Sequence, residues 1–103
     1  MASPSTELRR DDILSWPKAD LHCHLDGSLR LETMLELADA QGKPHVLPGD
    51  TVEALSERLQ AVDESETLEA YLAWFRTTIP LLQTQDALQR VAYELVADSA
   101  AEN

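Results

Sequence analysis

The sequence predicts an α/β fold in which one short strand is followed by about four helices. Three observations carry that expectation. Residues 20–27, Asp20-Leu21-His22-Cys23-His24-Leu25-Asp26-Gly27, alternate polar and apolar side chains as a half-buried strand does. From Leu31 onward the apolar residues fall at helical spacing instead. A strand that stands alone leaves both backbone edges unpaired, and no other stretch alternates in a way that could serve it. The expectation is therefore the front part of a longer α/β protein, with pairing to a second chain as the alternative.

The elements follow in order. Residues 1–12 read as a flexible lead-in, with Ser3, Pro4, Ser5 and Thr6 early and mixed charges after, so that residues 13–103 form the folded part. Ile13, Leu14 and Trp16 make a short apolar patch expected to pack beside the strand. Pro17 suits a strand's first position, where no ladder donor is needed. The strand is predicted over 18–25, with Gly27 free to turn at its end.

A helix starts near Leu31 with Leu31, Met34, Leu35 and Ala38 on one face. Gly42 and Pro44 stop it. Asp50 and Glu53 have capping-box spacing for a second helix carrying Leu55 and Leu59. Asp63 to Glu66 forms an acidic linker. Thr67 caps a third helix with Leu68, Tyr71, Leu72 and Phe75 in a stripe that Ile79 and Leu82 continue, and Pro80 kinks or breaks it. A fourth runs from about Gln85 to Ala100 with Leu88, Val91, Ala92, Leu95, Val96 and Ser99 inward.

The totals exclude several function classes. The chain has 103 residues, enough for one small domain, and a formal net charge of −11. A pI near 4.4 sets the chain against phosphate backbones and anionic lipid, so neither nucleic acid nor a membrane surface is an expected partner. There is no apolar run long enough for a membrane span and no apolar core for a secretory signal. The single cysteine, Cys23, cannot form an internal disulfide, which suits the cytoplasm.

On a strand, Asp20, His22, His24 and Asp26 share one face and Cys23 the other. The two imidazoles then stand roughly 6.6 Å apart at about 3.3 Å rise per residue. One metal ion can bridge that spacing, although two ordinary histidines with structural hydrogen bonds would share the pattern. His45 falls in a loop and reads as solvent-facing.

Pro17-Lys18-Ala19-Asp20-Leu21-His22-Cys23-His24-Leu25-Asp26-Gly27-Ser28-Leu29 resembles the N-terminal signature of the adenosine deaminase family of metal-dependent amidohydrolases. The likeness continues through Glu32-Thr33, then Thr67-Leu68-Glu69-Ala70-Tyr71-Leu72-Ala73-Trp74-Phe75 and Ala92-Tyr93-Glu94-Leu95. It thus covers nearly everything after about residue 14. The resemblance implies the N-terminal part of a TIM-like (β/α)₈ barrel, whose active site lies at the C-terminal ends of its strands.

The resemblance also implies roles. His22 and His24 are similar to the first two ligands of a single Zn²⁺. Asp26 resembles the residue that accepts a hydrogen bond from the substrate ribose, in a pocket that His24 also lines. Stabilising the turn at Gly27 is the plainer alternative for Asp26. Relatives that prefer a free base or another nucleoside often carry Glu there, so Asp tilts the expectation to adenosine, with deoxyadenosine beside it. Asp20, where many relatives carry Glu, reads as supporting structure.

Leu68, Tyr71, Leu72 and Phe75 resemble a lid over the purine, although ordinary helix core has the same spacing. The implied reaction is hydrolytic deamination of adenosine to inosine and ammonia. No catalytic proton donor is expected within these residues, since the family's remaining zinc ligands and acid–base groups come later. The chain is therefore expected to be inactive alone, and with its apolar stripes uncovered, unstable or aggregation-prone. An adenine or modified-adenosine deaminase is the alternative within the family. A non-catalytic acidic helical interaction module is the alternative outside it.

Overall fold

A computed structural model describes residues 7–103, and six α-helices carry the described part of the fold. They are α1 (Arg10–Ser15), α2 (Leu31–Ala40), α3 (Val52–Asp63), α4 (Leu68–Leu72), α5 (Phe75–Thr78) and α6 (Gln85–Ala101). Short 3₁₀ turns occupy Leu25–Gly27, Pro44–Val46 and Ile79–Leu82.

Local chemistry explains most of the boundaries. Gly42 follows α2 with φ +65°, the left-handed conformation a side chain resists. Thr51, Thr67 and Thr84 cap α3, α4 and α6, each hydroxyl accepting from the backbone N–H three residues on. The cap of α3 is thus Thr51, one residue beyond the expected Asp50. Pro80 breaks the third predicted helix as anticipated. That helix is further divided at Ala73–Trp74, giving α4, α5 and the Ile79–Leu82 turn.

The core is small and centres on α2. Met34, Leu37 and Ala38 pack with Leu55 and Val62 of α3, Trp74, Leu81, and Ala87 and Val91 of α6. Between α4 and α6 the buried residues are Trp74, Thr78 and Leu81, so Leu68, Tyr71 and Leu72 stay exposed and Phe75 half-exposed.

The inward side of α6 is also rotated from the expected stripe. Ala87, Val91 and Glu94 are buried, whereas Leu88, Ala92, Val96 and Ser99 are exposed. Glu94 can turn inward because Thr33 and two arginines meet its carboxylate there.

The predicted strand does not form, and the described residues contain no β-structure. A strand is a paired object, and the one backbone bond residues 18–25 make to a distant segment, Lys18 N–H to the Asn103 carbonyl at 2.8 Å, is not continued into a ladder. The segment also bends at Leu21–His22, where Asp20 Oδ1 accepts from the His22 backbone N–H at 3.0 Å. Such an Asx turn competes directly with extended pairing.

The α/β expectation is therefore not realised within the described residues. Ile13, Leu14 and Trp16, expected beside the strand, are exposed on and after α1. That helix starts inside the predicted lead-in, whose residues 1–6 lie outside the described ones.

The described part up to His24 has no buried residue. Its main anchor is Lys18, whose Nζ donates to the carbonyls of Leu14, Trp16 and Glu102 at 3.2, 3.0 and 2.7 Å. The radius of gyration is 17.6 Å, against roughly 13 Å for a compact domain of this length.

Candidate metal and nucleoside site

Beyond the bend, the chain brings the two imidazoles together. His22 Nε2 and His24 Nε2 lie 2.6 Å apart, with ring centroids at 4.7 Å and planes tilted by 31°. That is closer than the separation expected on an ideal strand, because the bend folds one ring toward the other. Each nitrogen has a lone pair in one tautomer and a proton in the other, so one ring donates while the other accepts.

The turn after His24 is held by its own backbone. The Gly27 and Ser28 N–H groups donate to the His24 and Leu25 carbonyls at 3.2 and 3.1 Å. The Ser28 hydroxyl adds a bond to the His24 carbonyl at 2.6 Å. Gly27 makes this turn without a positive φ, so the freedom expected of it there is not used. Asp26 presents a carboxylate oxygen 3.8 Å from His24 Nδ1.

These groups form one wall of an open groove of about 680 Å³. Its opposite wall is Tyr71, Leu72, Phe75 and Ile79. Tyr71 and Phe75 meet edge to face with centroids 6.2 Å apart, a preferred aromatic geometry.

The structure thus brings His22, His24, Asp26, Tyr71, Leu72 and Phe75 to one place. It does not bring Leu68, which is 72% exposed and borders a separate hollow with Arg76. Asp20, Gly27 and Ser28 line the groove as well, and so do Ile79 and Cys23. Ile79 follows from the turn that Pro80 imposes. Cys23 lines the groove beside the histidines rather than facing away, because the bend cancels strand alternation. Its Sγ lies 3.7 Å from Ser28 Oγ.

The donor set can be tested against a zinc ion. Zn–N bonds of about 2.0–2.1 Å in tetrahedral geometry place two ligand nitrogens about 3.3 Å apart. The Nε2 atoms at 2.6 Å would part by well under an ångström, a small rotation for a His24 side chain that is 62% exposed. The pair fits as two ligands of one ion. Among the described residues no group of three or more His, Cys, Asp or Glu side chains converges on a common point.

A histidine pair facing aromatic and aliphatic side chains across a groove fits the class of metal-assisted sites for small ring-bearing molecules. Comparison with known proteins gives the family. Residues 17–103 match the adenosine deaminase family model, and the chain belongs to that family. It is 42% identical over 92 residues to a protein named adenosine deaminase from Shewanella halifaxensis, covering 89% of this chain and 27% of that one.

A relative of the same name from Clostridium perfringens is 44% identical over 92 residues. Another from Mycobacterium leprae is 43% identical over 99 residues, 96% of this chain and 27% of the relative. The chain spans about a quarter of the length of these relatives. No solved structure matches it. None of the helices among the described residues is long and apolar enough to cross a membrane.

Proposed function

We propose that this chain supplies the first part of a zinc-dependent deaminase that hydrolyses adenosine to inosine and ammonia. The observation that carries the reading is the convergence of His22 and His24 Nε2 to 2.6 Å across a groove from Tyr71, Leu72 and Phe75. Family membership and the names of the relatives support the substrate class.

In this reading His22 and His24 hold the ion as neutral imidazoles, positioned by the Asx turn on one side and the Leu25–Gly27 turn on the other. Bound Zn²⁺ lowers the pKa of a water molecule enough to supply hydroxide near neutral pH. Asp26 has an ionisable oxygen at the groove and accepts a hydrogen bond from a ribose hydroxyl, fixing the nucleoside relative to His24. Tyr71, Leu72, Phe75 and Ile79 give the purine an apolar wall and keep water from its faces. The barrel fold belongs to the same proposal, as do a cytoplasmic setting and a diffusible nucleoside, adenosine or deoxyadenosine, as substrate. In this reading the described residues bring together two ligands, the other ligands and the proton donor come from the rest of the enzyme, and the 103-residue chain is expected to be inactive alone.

The test is a hybrid in which residues 17–103 replace the matching segment of the Clostridium perfringens relative. The hybrid is expected to bind zinc and convert adenosine to inosine. In the same background His24→Ala abolishes turnover, and Asp26→Ala raises the adenosine KM about tenfold, the equivalent of one lost hydrogen bond of about 1.4 kcal/mol. A folded, zinc-loaded hybrid that leaves adenosine untouched overturns the reading. An unchanged KM for Asp26→Ala removes the ribose contact from it.

A further inference from the structure

Arg30 immediately precedes α2 and lies three residues after Gly27. Its side chain crosses to α6. Nε and Nη2 grip the Asp98 carboxylate at 3.0 and 2.7 Å, and Nη1 donates to Glu94 Oε2 at 3.0 Å. One guanidinium thus holds two carboxylates a helical turn apart, the geometry its planar fork favours.

Glu94 is buried at 7% exposure and is itself fixed from other sides. Thr33 Oγ1 of α2 donates to it at 2.9 Å, and Arg90 Nε lies 3.3 Å away while its Nη2 reaches Glu36 of α2. The carboxylate therefore has little freedom, and Arg30 inherits that rigidity. From Arg30 the path to the imidazoles is short. Leu29 leads to Ser28, whose hydroxyl and N–H close the turn onto His24 and Leu25. Upstream of His24 the described chain is held only by exposed hydrogen bonds of Lys18 and Leu14 to Glu102 and Asn103, whereas downstream Arg30 joins the turn to the buried Glu94, so the downstream end sets where His24 stands.

We propose that Arg30, clamped by Glu94 and Asp98, is a positioning residue that fixes the His24–Gly27 turn and with it the spacing of the two imidazoles. Its effect on zinc rests on the reading of His22 and His24 as a metal pair, whereas its effect on the turn does not. Neither Arg30 nor its two carboxylates touches the groove.

The experiment uses the full 103-residue chain with Arg30→Lys and Asp98→Asn. Lysine keeps the charge but loses the fork, and Asp98 lies on the surface, so far-UV circular dichroism should be unchanged in both. The first readout is amide exchange by NMR at Gly27 and Ser28, with Leu37 and Val91 as internal references. Exchange at Gly27 and Ser28 is expected to rise at least about fivefold while the references hold.

The second readout is titration with Zn²⁺ alone, where affinity is expected to fall about tenfold, at the lower end of what loss of a ligand-orienting contact causes. A role in fold stability only would move all four amides together and leave zinc affinity intact. Unchanged exchange at Gly27 and Ser28 overturns the proposal. If exchange rises as expected but the unsubstituted chain binds zinc no better than its His22→Ala variant, positioning stands and the metal reading fails.

Discussion

Removing one imidazole tests the site at its centre. Four-ligand zinc sites bind with about 10–16 kcal/mol, or about 2.5–4 kcal/mol per ligand. Two imidazoles should then contribute about 5–8 kcal/mol, a Kd between roughly 200 μM and roughly 1 μM. The starting geometry takes little from this, because Nε2 atoms at 2.6 Å need only part slightly and both rings stand on an exposed segment.

His22→Ala leaves a single ligand, so the Kd is expected to weaken by about two orders of magnitude, into the millimolar range. His24→Ala should match it, and Cys23→Ser should behave as the unsubstituted chain. Isothermal titration with zinc chloride reads all four proteins. Equal affinity for the unsubstituted chain and His22→Ala would refute the two-ligand reasoning. So would an unsubstituted Kd below about 0.1 μM, which requires more ligands than the described residues bring together.

Glu94→Gln keeps the volume and one hydrogen-bonding oxygen but removes the charge between Arg30 and Arg90. Glu94's side chain is 10% exposed and each arginine's 40%. The arginines can therefore rehydrate, and the loss should be about 2–3 kcal/mol rather than the larger cost of a fully buried pair. The measurement is the urea dependence of helicity, and a loss under about 0.5 kcal/mol would contradict it.

The Arg30 guanidinium, by hydrogen bond, holds the Asp98 carboxyl below its ordinary value of 3.8. A carboxyl depressed in the native state stabilises above its unfolded value and loses that contribution as pH falls through the native one. The Arg30–Asp98 tether should thus persist through neutral and mildly acid pH and loosen only below about pH 4, followed by the exchange of the Arg30 Nε proton. Finally, the 103-residue chain with zinc should form no inosine above the rate of zinc alone, measured by chromatography of the products.

Much of the local structure was legible in the residues. Gly42, Thr67 and Pro80 act where their chemistry says they should, whereas α2 buries Thr33, Met34, Leu37 and Ala38, keeping Met34 and Ala38 of the expected stripe and leaving Leu31 and Leu35 half-buried. The cap at Thr51 rather than Asp50 was a close competition between two good capping residues one position apart. The misplaced face of α6 has a different cause. Hydrophobic spacing favoured Leu88, Ala92 and Val96, and nothing local signals that Glu94 turns inward. Its partner Thr33 lies 61 residues away and Arg30 64.

The same distinction separates what the chain order determined from what the tertiary structure decided. The sequence by itself identified the His22–His24 pair, the aromatic stripe and the family. It could not choose between lid and core for Tyr71, Leu72 and Phe75, since one spacing serves both. Only packing settled which side of that segment is buried, by turning Trp74, Thr78 and Leu81 to the core. Nor could alternation alone make residues 18–25 a strand. Helical hydrogen bonds close within a few residues, but a strand needs a neighbouring backbone, and a buried charge needs partners from distant parts of the chain.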